Sequence, residues 1–427
     1  MNYFCNFAAK MKKTLLLLVA FLLTLHVTAQ DETTVSDLYE TADSVVCDSV
    51  AAIPVDTLPY PQNIHHQLDS LIARSKTLQR SQLGLMVYDL TADSAIYVFN
   101  HRQTMRPAST MKLVTAIAAI DRLGGSYQLR TSLYYKGQID NRTLTGDLIC
   151  VGGMDPRFDG DDLRAFVESV RQLDVDTIRG RLVADRSFKE PELLGEGWCW
   201  DDDNPVLTPL LLSRKDNLME RLAEKLRESG IIVEAPLTQG SLPSGANRIC
   251  TRTHSIEQVL TKMLKESDNL YAEAMFFQIA AAGGSRPAKA SHARAVINKL
   301  IQKIGLTPSA YKVADGSGLS LYNYVSAELL TRLLRYAWRN RNISDCLLPA
   351  LPIAGVDGTL KSRMKGTPAA DNVHAKTGTL TGISSLAGYC TTANGHDLCF
   401  AIINQGVLRN NDGRAFQDVV CHILCVR

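Results

Sequence analysis

Ser109 and Lys112 stand three positions apart at the head of an apolar stretch, a spacing that places both side chains on one face of a helix. A serine hydroxyl attacks an amide poorly unless a neighbour takes its proton. A lysine can do that only when uncharged, so its ordinary pKa of about 10.4 must fall toward neutrality, a discrimination of roughly 4 kcal/mol against the ammonium. Burial above the apolar helix and the nearby cation of Lys376 both act in that direction. Ser-x-x-Lys alone is a weak signal, because Ser309/Lys312 and Ser362/Lys365 fit it too. Ser109 is set apart in two ways. It opens a Pro-started apolar helix, and it precedes both the chain's single Ser-x-Asn, Ser267-Asp268-Asn269, and its single Lys-Thr-Gly, Lys376-Thr377-Gly378.

In that order the three motifs describe an acyl-transfer site of the kind found in penicillin-binding proteins and class A β-lactamases. Ser109 is the nucleophile and Lys112 its base. Ser267 bridges Lys112 to the leaving amine and relays the proton. Asn269 holds the peptide's amide groups, Lys376 attracts a carboxylate, Thr377 bonds it, and Gly378 lets the substrate backbone come close. The backbone N–H groups of Ser109 and Thr379 are the oxyanion donors, since a first-turn serine has free N–H groups and the positive end of the helix dipole beside it. Taken singly, Ser109 reads as an ordinary first-turn serine, Ser267 as a helix N-cap and Lys376 as a solvated strand lysine. Their joint order favours the catalytic reading.

The elements that must position these residues are given by periodicity. A helix covers about 68–78, and alternation gives strands at Leu83–Leu90 and Ala95–Phe99. Pro107 starts the nucleophile helix, with Leu113, Val114, Ile117 and Ile120 as its apolar stripe and Gly124-Gly125 as its stop. From about 130 to 250 the texture is short strands and Gly/Asp turns, with one helix near Asn217–Ser229. Helices resume at Ile256–Lys265, Leu270–Ala282, His292–Ile304 and Ala327–Arg339. Strands come next at Ile383–Tyr389 and Leu398–Asn404, and a helix from about Gly413 to Cys425 closes the chain. The fold class is α+β: an antiparallel sheet with helices, drawing strands from both ends of the chain (63–130 and 251–427) and interrupted by a mainly β inserted domain (131–250).

The N-terminus reads as an address. Lys12 and Lys13 precede an apolar run from Leu15 to Leu23, and Val27-Thr28-Ala29 offers a cleavage site, giving a signal peptide over 1–29 and a periplasmic location. Met11 is an alternative start. Residues 30–62 read as a disordered acidic spacer, without Lys or Arg and broken by Pro54, Pro59 and Pro61. With 46 basic against 44 acidic residues and no basic–aromatic patch, nucleic acid is excluded as a partner. Ten widely scattered cysteines do not describe a disulfide framework, and Cys421 and Cys425 read as buried apolar residues of a helix. The nine histidines form no metal signature, and the chemistry requires no cofactor.

From about residue 66 onward the chain resembles the class C low-molecular-mass penicillin-binding proteins, the D-alanyl-D-alanine carboxypeptidase/endopeptidases. The strings that carry the likeness are Arg106–Thr115 around the nucleophile, Gly152–Pro156, Asp185–Phe188 and Gly197–Asp202 in the insertion, and Asp315–Ser320, Gly355–Leu360 and His374–Gly382 in the second half. The resemblance implies a penicillin-binding/β-lactamase-like transpeptidase domain acting on peptidoglycan stem peptides that end in D-Ala-D-Ala or carry D-Ala cross-links, with β-lactams as covalent inhibitors. Ser109 and Ser267 are 158 positions apart, room for one inserted domain, so the innermost of the two nested domains in some relatives is missing or reduced here. The resemblance also offers Asp155 as a contact for a side-chain ammonium, against the plain reading that it fixes its own turn before Pro156. Trp198 and Trp200 read as packing residues. Two rival functions are a β-lactamase, disfavoured by the long insertion, and a non-catalytic β-lactam sensor or wall-binding protein, disfavoured by three intact motifs.

Overall fold

A computed structural model describes residues 58–200, 204–284 and 286–426. The signal peptide and the spacer up to residue 57 lie outside the described residues. Helix α1 (Gln62–Arg74) begins earlier than the expected helix at 68–78. Just before it, the Tyr60 ring lies 4.6 Å from that of His396, and its hydroxyl bonds Asp89. Packed chain therefore starts by Tyr60, short of the spacer boundary expected at 62.

Strands β1 (Gln82–Asp89) and β2 (Ser94–Phe99) form a hairpin, and after a 3₁₀ turn at Ala108–Thr110 comes α2 (Met111–Leu123). The inserted region holds β3 (Gln128–Asp140), β4 (Thr143–Val151), α3 (Gly160–Arg171), β5 (Thr177–Arg179), β6 (Leu182–Asp185), α4 (Leu218–Glu228), β7 (Ile232–Val233), β8 (Leu237–Gln239) and β9 (Asn247–Ser255). The chain then runs through α5 (Ile256–Lys265), α6 (Asn269–Ala281), α7 (Ala290–Lys303), α8 (Ala327–Arg339) and α9 (Arg341–Leu347). It ends with β10 (His374–Leu380), β11 (Ile383–Thr391), β12 (Asp397–Gln405) and α10 (Asn410–Cys425).

The first sheet has the order β10-β11-β12-β1-β2 and is antiparallel throughout. Its N-terminal hairpin joins the C-terminal strands through β1 and β12, from Gln82 opposite Gln405 to Asp89 opposite Leu398. Helix α6 is buried from Leu270 to Ala280, and Met111–Ile120 of α2 are buried as well, so these two form the centre of the main core. A helix apolar all round belongs in such a place. On the far side α10 packs on β11, where Cys421 and Cys425 are buried and unbridged, as is Cys390.

The second sheet has the order β7-β5-β4-β3-β9, with β6 and β8 attached through β4. Its β3 pairs antiparallel with β4 and β9, whereas β5, β6, β7 and β8 pair in parallel. Parallel pairing needs crossovers, and here α3 and α4 supply two of them. Sequence texture predicts only the second. The signal for α3 is nevertheless legible: Asp159 and Asp162 make a reciprocal capping box, and Leu163, Phe166, Val167 and Val170 share its buried face. Gly160-Asp161-Asp162 reads as a turn because the same residue types serve turns and helix starts. The segment between β6 and α4 leaves this sheet and packs on the main core through Phe188, Trp198, Leu207 and Leu211.

Candidate active site

Pro107 does not begin the α-helix directly. The 3₁₀ turn Ala108–Thr110 intervenes, pinned by Thr110 Oγ1 and Ser385 Oγ, which donate to the Pro107 carbonyl at 2.7 and 2.6 Å. Ser109 stays partly exposed at the tip of the turn, while Lys112, one turn on, is completely buried. The Lys112 amine donates to Ser109 Oγ at 3.0 Å, Asn269 Oδ1 at 2.7 Å and the Ser317 carbonyl at 2.8 Å. Burial lowers Lys112 to about 8, against the opposing pull of the carboxylates of Asp315, Glu273 and Asp268.

The Ser317 carbonyl belongs to the turn Asp315–Ser320, a string conspicuous in the sequence but given no chemical role there. Asp315 Oδ1 accepts from the Gly318 N–H (2.8 Å) and Asn323 Nδ2 (2.7 Å), and its Oδ2 from the Ser320 N–H (2.7 Å) and the Trp198 indole (2.8 Å). Glu273, from α6, accepts the Ser317 N–H at 2.7 Å and the Gly316 N–H at 3.1 Å. Burial raises Glu273 to about 8, and the negative charge of Asp315 adds to the effect. A Cβ on Gly318, whose φ is +82°, would stand 1.9 Å from the Ala108 carbonyl oxygen. Only glycine allows this turn to lie against the nucleophile's turn.

The opposite wall carries the other two motifs. Ser267 has a left-handed φ of +61°, and Asp268 caps α6 through the Tyr271 N–H. Asp268 also pairs with Arg214 from the insertion. The structure connects Ser267 differently from the expectation that it would bond Lys112: its Oγ accepts from Lys376 Nζ at 2.8 Å, and the partner of Lys112 in this motif is Asn269. Lys376 is fully buried, with its second bond to the Thr377 carbonyl at 2.8 Å. Burial and the neighbouring Lys112 charge hold it well below the ordinary lysine range. Its amine faces inward and fixes the Ser267 hydroxyl. Thr377 and Thr379 lie on the other face of β10, with Thr377 Oγ1 bonded to Thr359 Oγ1 at 2.8 Å. Arg414 of α10, which no motif in the sequence singles out, reaches Thr379 Oγ1 at 3.4 Å. A Cβ on Gly378 would meet Ser385 Oγ at 2.1 Å, the Pro107 carbonyl oxygen at 2.7 Å and Ser109 N at 3.0 Å. The glycine therefore lets β10 lie against the nucleophile turn, which differs from the substrate approach expected from sequence.

Of the two readings offered for Asp155 the structure agrees with the plain one, and the packing expected of Trp200 is corrected. Asp155 is buried and accepts from the Arg157 N–H (3.0 Å), fixing its own turn, and its other oxygen lies 2.7 Å from His254 Nδ1. That environment leaves no face for a ligand's ammonium. Trp198 packs, but Trp200 is 85% exposed. Among the described residues no group of three or more His, Cys, Asp or Glu is placed to hold a metal.

The profile of the D-Ala-D-Ala carboxypeptidase 3 (S13) family matches residues 64–210 and 212–424. The chain belongs to this family. As an S13 member it is a serine-type D-alanyl-D-alanine carboxypeptidase, a hydrolase. It is 26% identical over 410 residues to the D-alanyl-D-alanine carboxypeptidase DacB of Haemophilus influenzae, spanning 76% of this chain and 85% of that one. It is 28% identical to carboxypeptidase DacB of Mycolicibacterium smegmatis, over 87% of this chain and 86% of the relative. The crystal structure of penicillin binding protein 4 (dacB) from Haemophilus influenzae superposes with a TM-score of 0.75 at 24% identity, covering 82% of this chain and 97% of that one. That likeness agrees with the α+β class and its antiparallel sheet.

Proposed function

We propose that this S13 enzyme cleaves D-alanyl peptides of peptidoglycan in the periplasm through an acyl-enzyme on Ser109, acting as carboxypeptidase on terminal D-Ala-D-Ala and as endopeptidase on D-Ala cross-links. The observation that carries the reading is the 3.0 Å contact between Lys112 Nζ and Ser109 Oγ at a fully buried amine. A neutral amine has two N–H bonds and one lone pair. In the neutral amine Asn269 Oδ1 and the Ser317 carbonyl, which can only accept, keep the two N–H bonds, so the contact with Ser109 Oγ, a donation from the ammonium, becomes one to the lone pair. Lys112 takes the Ser109 proton as the oxygen bonds the carbonyl carbon of the penultimate D-alanine. The oxyanion forms between the N–H groups of Ser109 and Thr379. The Ser267 hydroxyl, held by Lys376, passes its proton to the leaving amine as the C–N bond breaks, and the proton that Lys112 took from Ser109 replaces it. Water then attacks the ester, its hydroxide going to the acyl carbon and its proton back to Ser109. Thr377 and Thr379 meet the substrate's terminal carboxylate. A β-lactam, an amide in a strained ring, acylates the same oxygen, in keeping with the penicillin-binding name of the structural relative.

Purified sacculi test this reading. The wild type releases free D-alanine and splits cross-links, counted separately, while Ser109→Ala does neither. Label from radioactive penicillin on any residue other than Ser109 would overturn it. Turnover of nitrocefin at hundreds per second would instead identify a β-lactamase. The export step is tested by the N-terminus of the protein recovered from the periplasm, expected at Gln30.

A further inference from the structure

The insertion sends one side chain into the support of the catalytic base. Trp198 is nearly buried in the main core, although it comes from the segment between β6 and α4. Its indole N–H donates to Asp315 Oδ2 at 2.8 Å. The same carboxylate holds the N–H groups of Gly318 and Ser320, in the turn that carries Ser317. The Ser317 carbonyl is one of the two fixed acceptors on the Lys112 amine.

This docking is specifically built. A Cβ on Gly197, whose φ is +78°, would stand 2.6 Å from the Tyr322 ring and 2.8 Å from Ser320 Oγ. A Cβ on Gly195 would stand 2.6 Å from the Trp198 ring itself. Between these glycines, Glu196 pairs with Arg294 at 3.1 Å and Lys312 at 3.2 Å. Two glycines and a double ion pair therefore seat the indole on the loop around Asp315. An apolar contact alone would have needed none of this polar geometry.

We propose that Trp198 is a positioning residue for acylation: through Asp315 it holds the turn whose Ser317 carbonyl aims the Lys112 amine at Ser109. This rests on Lys112 being the base. Without the indole N–H, Asp315 keeps its other donors but loses one of the two bonds on Oδ2. The turn then gains freedom along the line that sets the amine, and small displacements at reacting groups are costly. The insertion thereby becomes part of the machinery of the base, in addition to whatever it contributes to the cleft wall.

The test uses the full-length enzyme and a fluorescent penicillin, separating the acylation rate constant from the dissociation constant of the preceding non-covalent complex. Trp198→Phe keeps an aromatic ring and removes the donor. The acylation rate constant is expected to fall between about tenfold and a hundredfold, with the dissociation constant within about twofold. Because Trp198 acts through Asp315, Trp198→Phe combined with Asp315→Asn should be no slower than Asp315→Asn alone, a failure of additivity that marks a shared path. Should Trp198→Phe fold poorly, Gly197→Ala tests the same docking with the indole present. An unchanged acylation rate, fully multiplicative effects, or parallel losses in binding and rate with a lowered melting temperature would each overturn the inference. Wild-type enzyme that is not labelled at Ser109 would defeat the proposed function instead, so the two failures are distinguishable.

Discussion

Lys112 is bonded more closely to Asn269 than to Ser109, at 2.7 Å against 3.0 Å. In the proposed mechanism the asparagine of the second motif therefore bears directly on the Lys112 amine. Replacing it by Asp puts a negative charge at the shortest contact of the amine, which favours the ammonium. Asn269→Asp should acylate slowly at pH 7 and recover as the pH rises, whereas Asn269→Ala should be slow across the range. The pH profile of acylation separates the two.

Lys112 as the proposed base sets the wild-type profile. With Lys112 near 8, the ammonium dominates below that pH and cannot accept the serine proton. Acylation should slow about tenfold for each pH unit below 8 and level off above it, as read by rapid mixing with a chromogenic β-lactam.

Arg414 is the cation beside the outward hydroxyl of Thr379, while the Lys376 amine is turned inward. Arg414→Ala should raise KM several-fold for a peptide ending in a free carboxylate and leave the corresponding peptide amide unchanged. Steady-state kinetics on the matched pair checks it.

Gly378→Ala places a methyl among atoms of which two belong to backbone, at Pro107 and Ser109. Backbone cannot step aside as a side chain can, so overpacking should cost about 1–3 kcal/mol and displace the nucleophile turn. Thermal unfolding should show the loss, and penicillin labelling should fall further than stability alone explains.

The pair of Asp155 and His254 carries a stability prediction with no catalytic one. Removing the carboxylate takes the acceptor from the half-buried Arg157 N–H and His254 Nδ1, a cost of about 1–3 kcal/mol. Asp155→Ala should melt earlier yet cleave peptides with and without a side-chain amine in the wild-type ratio. The bond to Asp155 raises the His254 pKa. Its stabilisation is complete below the ordinary imidazole value of about 6.5 and is lost as the pH climbs through the raised one. The melting difference between wild type and variant should shrink accordingly.

Short-range rules made much of this protein legible in its sequence. The spacing of Ser109 and Lys112 is a property of one helix turn, and the strands near 83–99 and 383–404 declare themselves by alternation and apolar runs. The order of the three motifs identified the chemistry, because few other tasks need those residue types together. The single helix expected in the insertion fell short by one, since aspartates and glycine serve turns and helix starts alike.

The tertiary structure decided the partners of each polar atom. Local pattern pointed Lys112 toward Ser267 and the Lys376 amine toward substrate, and the fold gave Lys112 to Asn269 and turned Lys376 inward. Those choices depend on how a turn near 316, a helix start near 268 and an edge strand near 377 converge on one buried amine. Hydrogen-bond partners are fixed by distances of a few tenths of an ångström between segments far apart in the chain, and no local pattern encodes such distances. The tie between Trp198 and Asp315 has the same origin: two residues 117 positions apart, each ordinary in its own stretch, meet only because the folded chain brings them there.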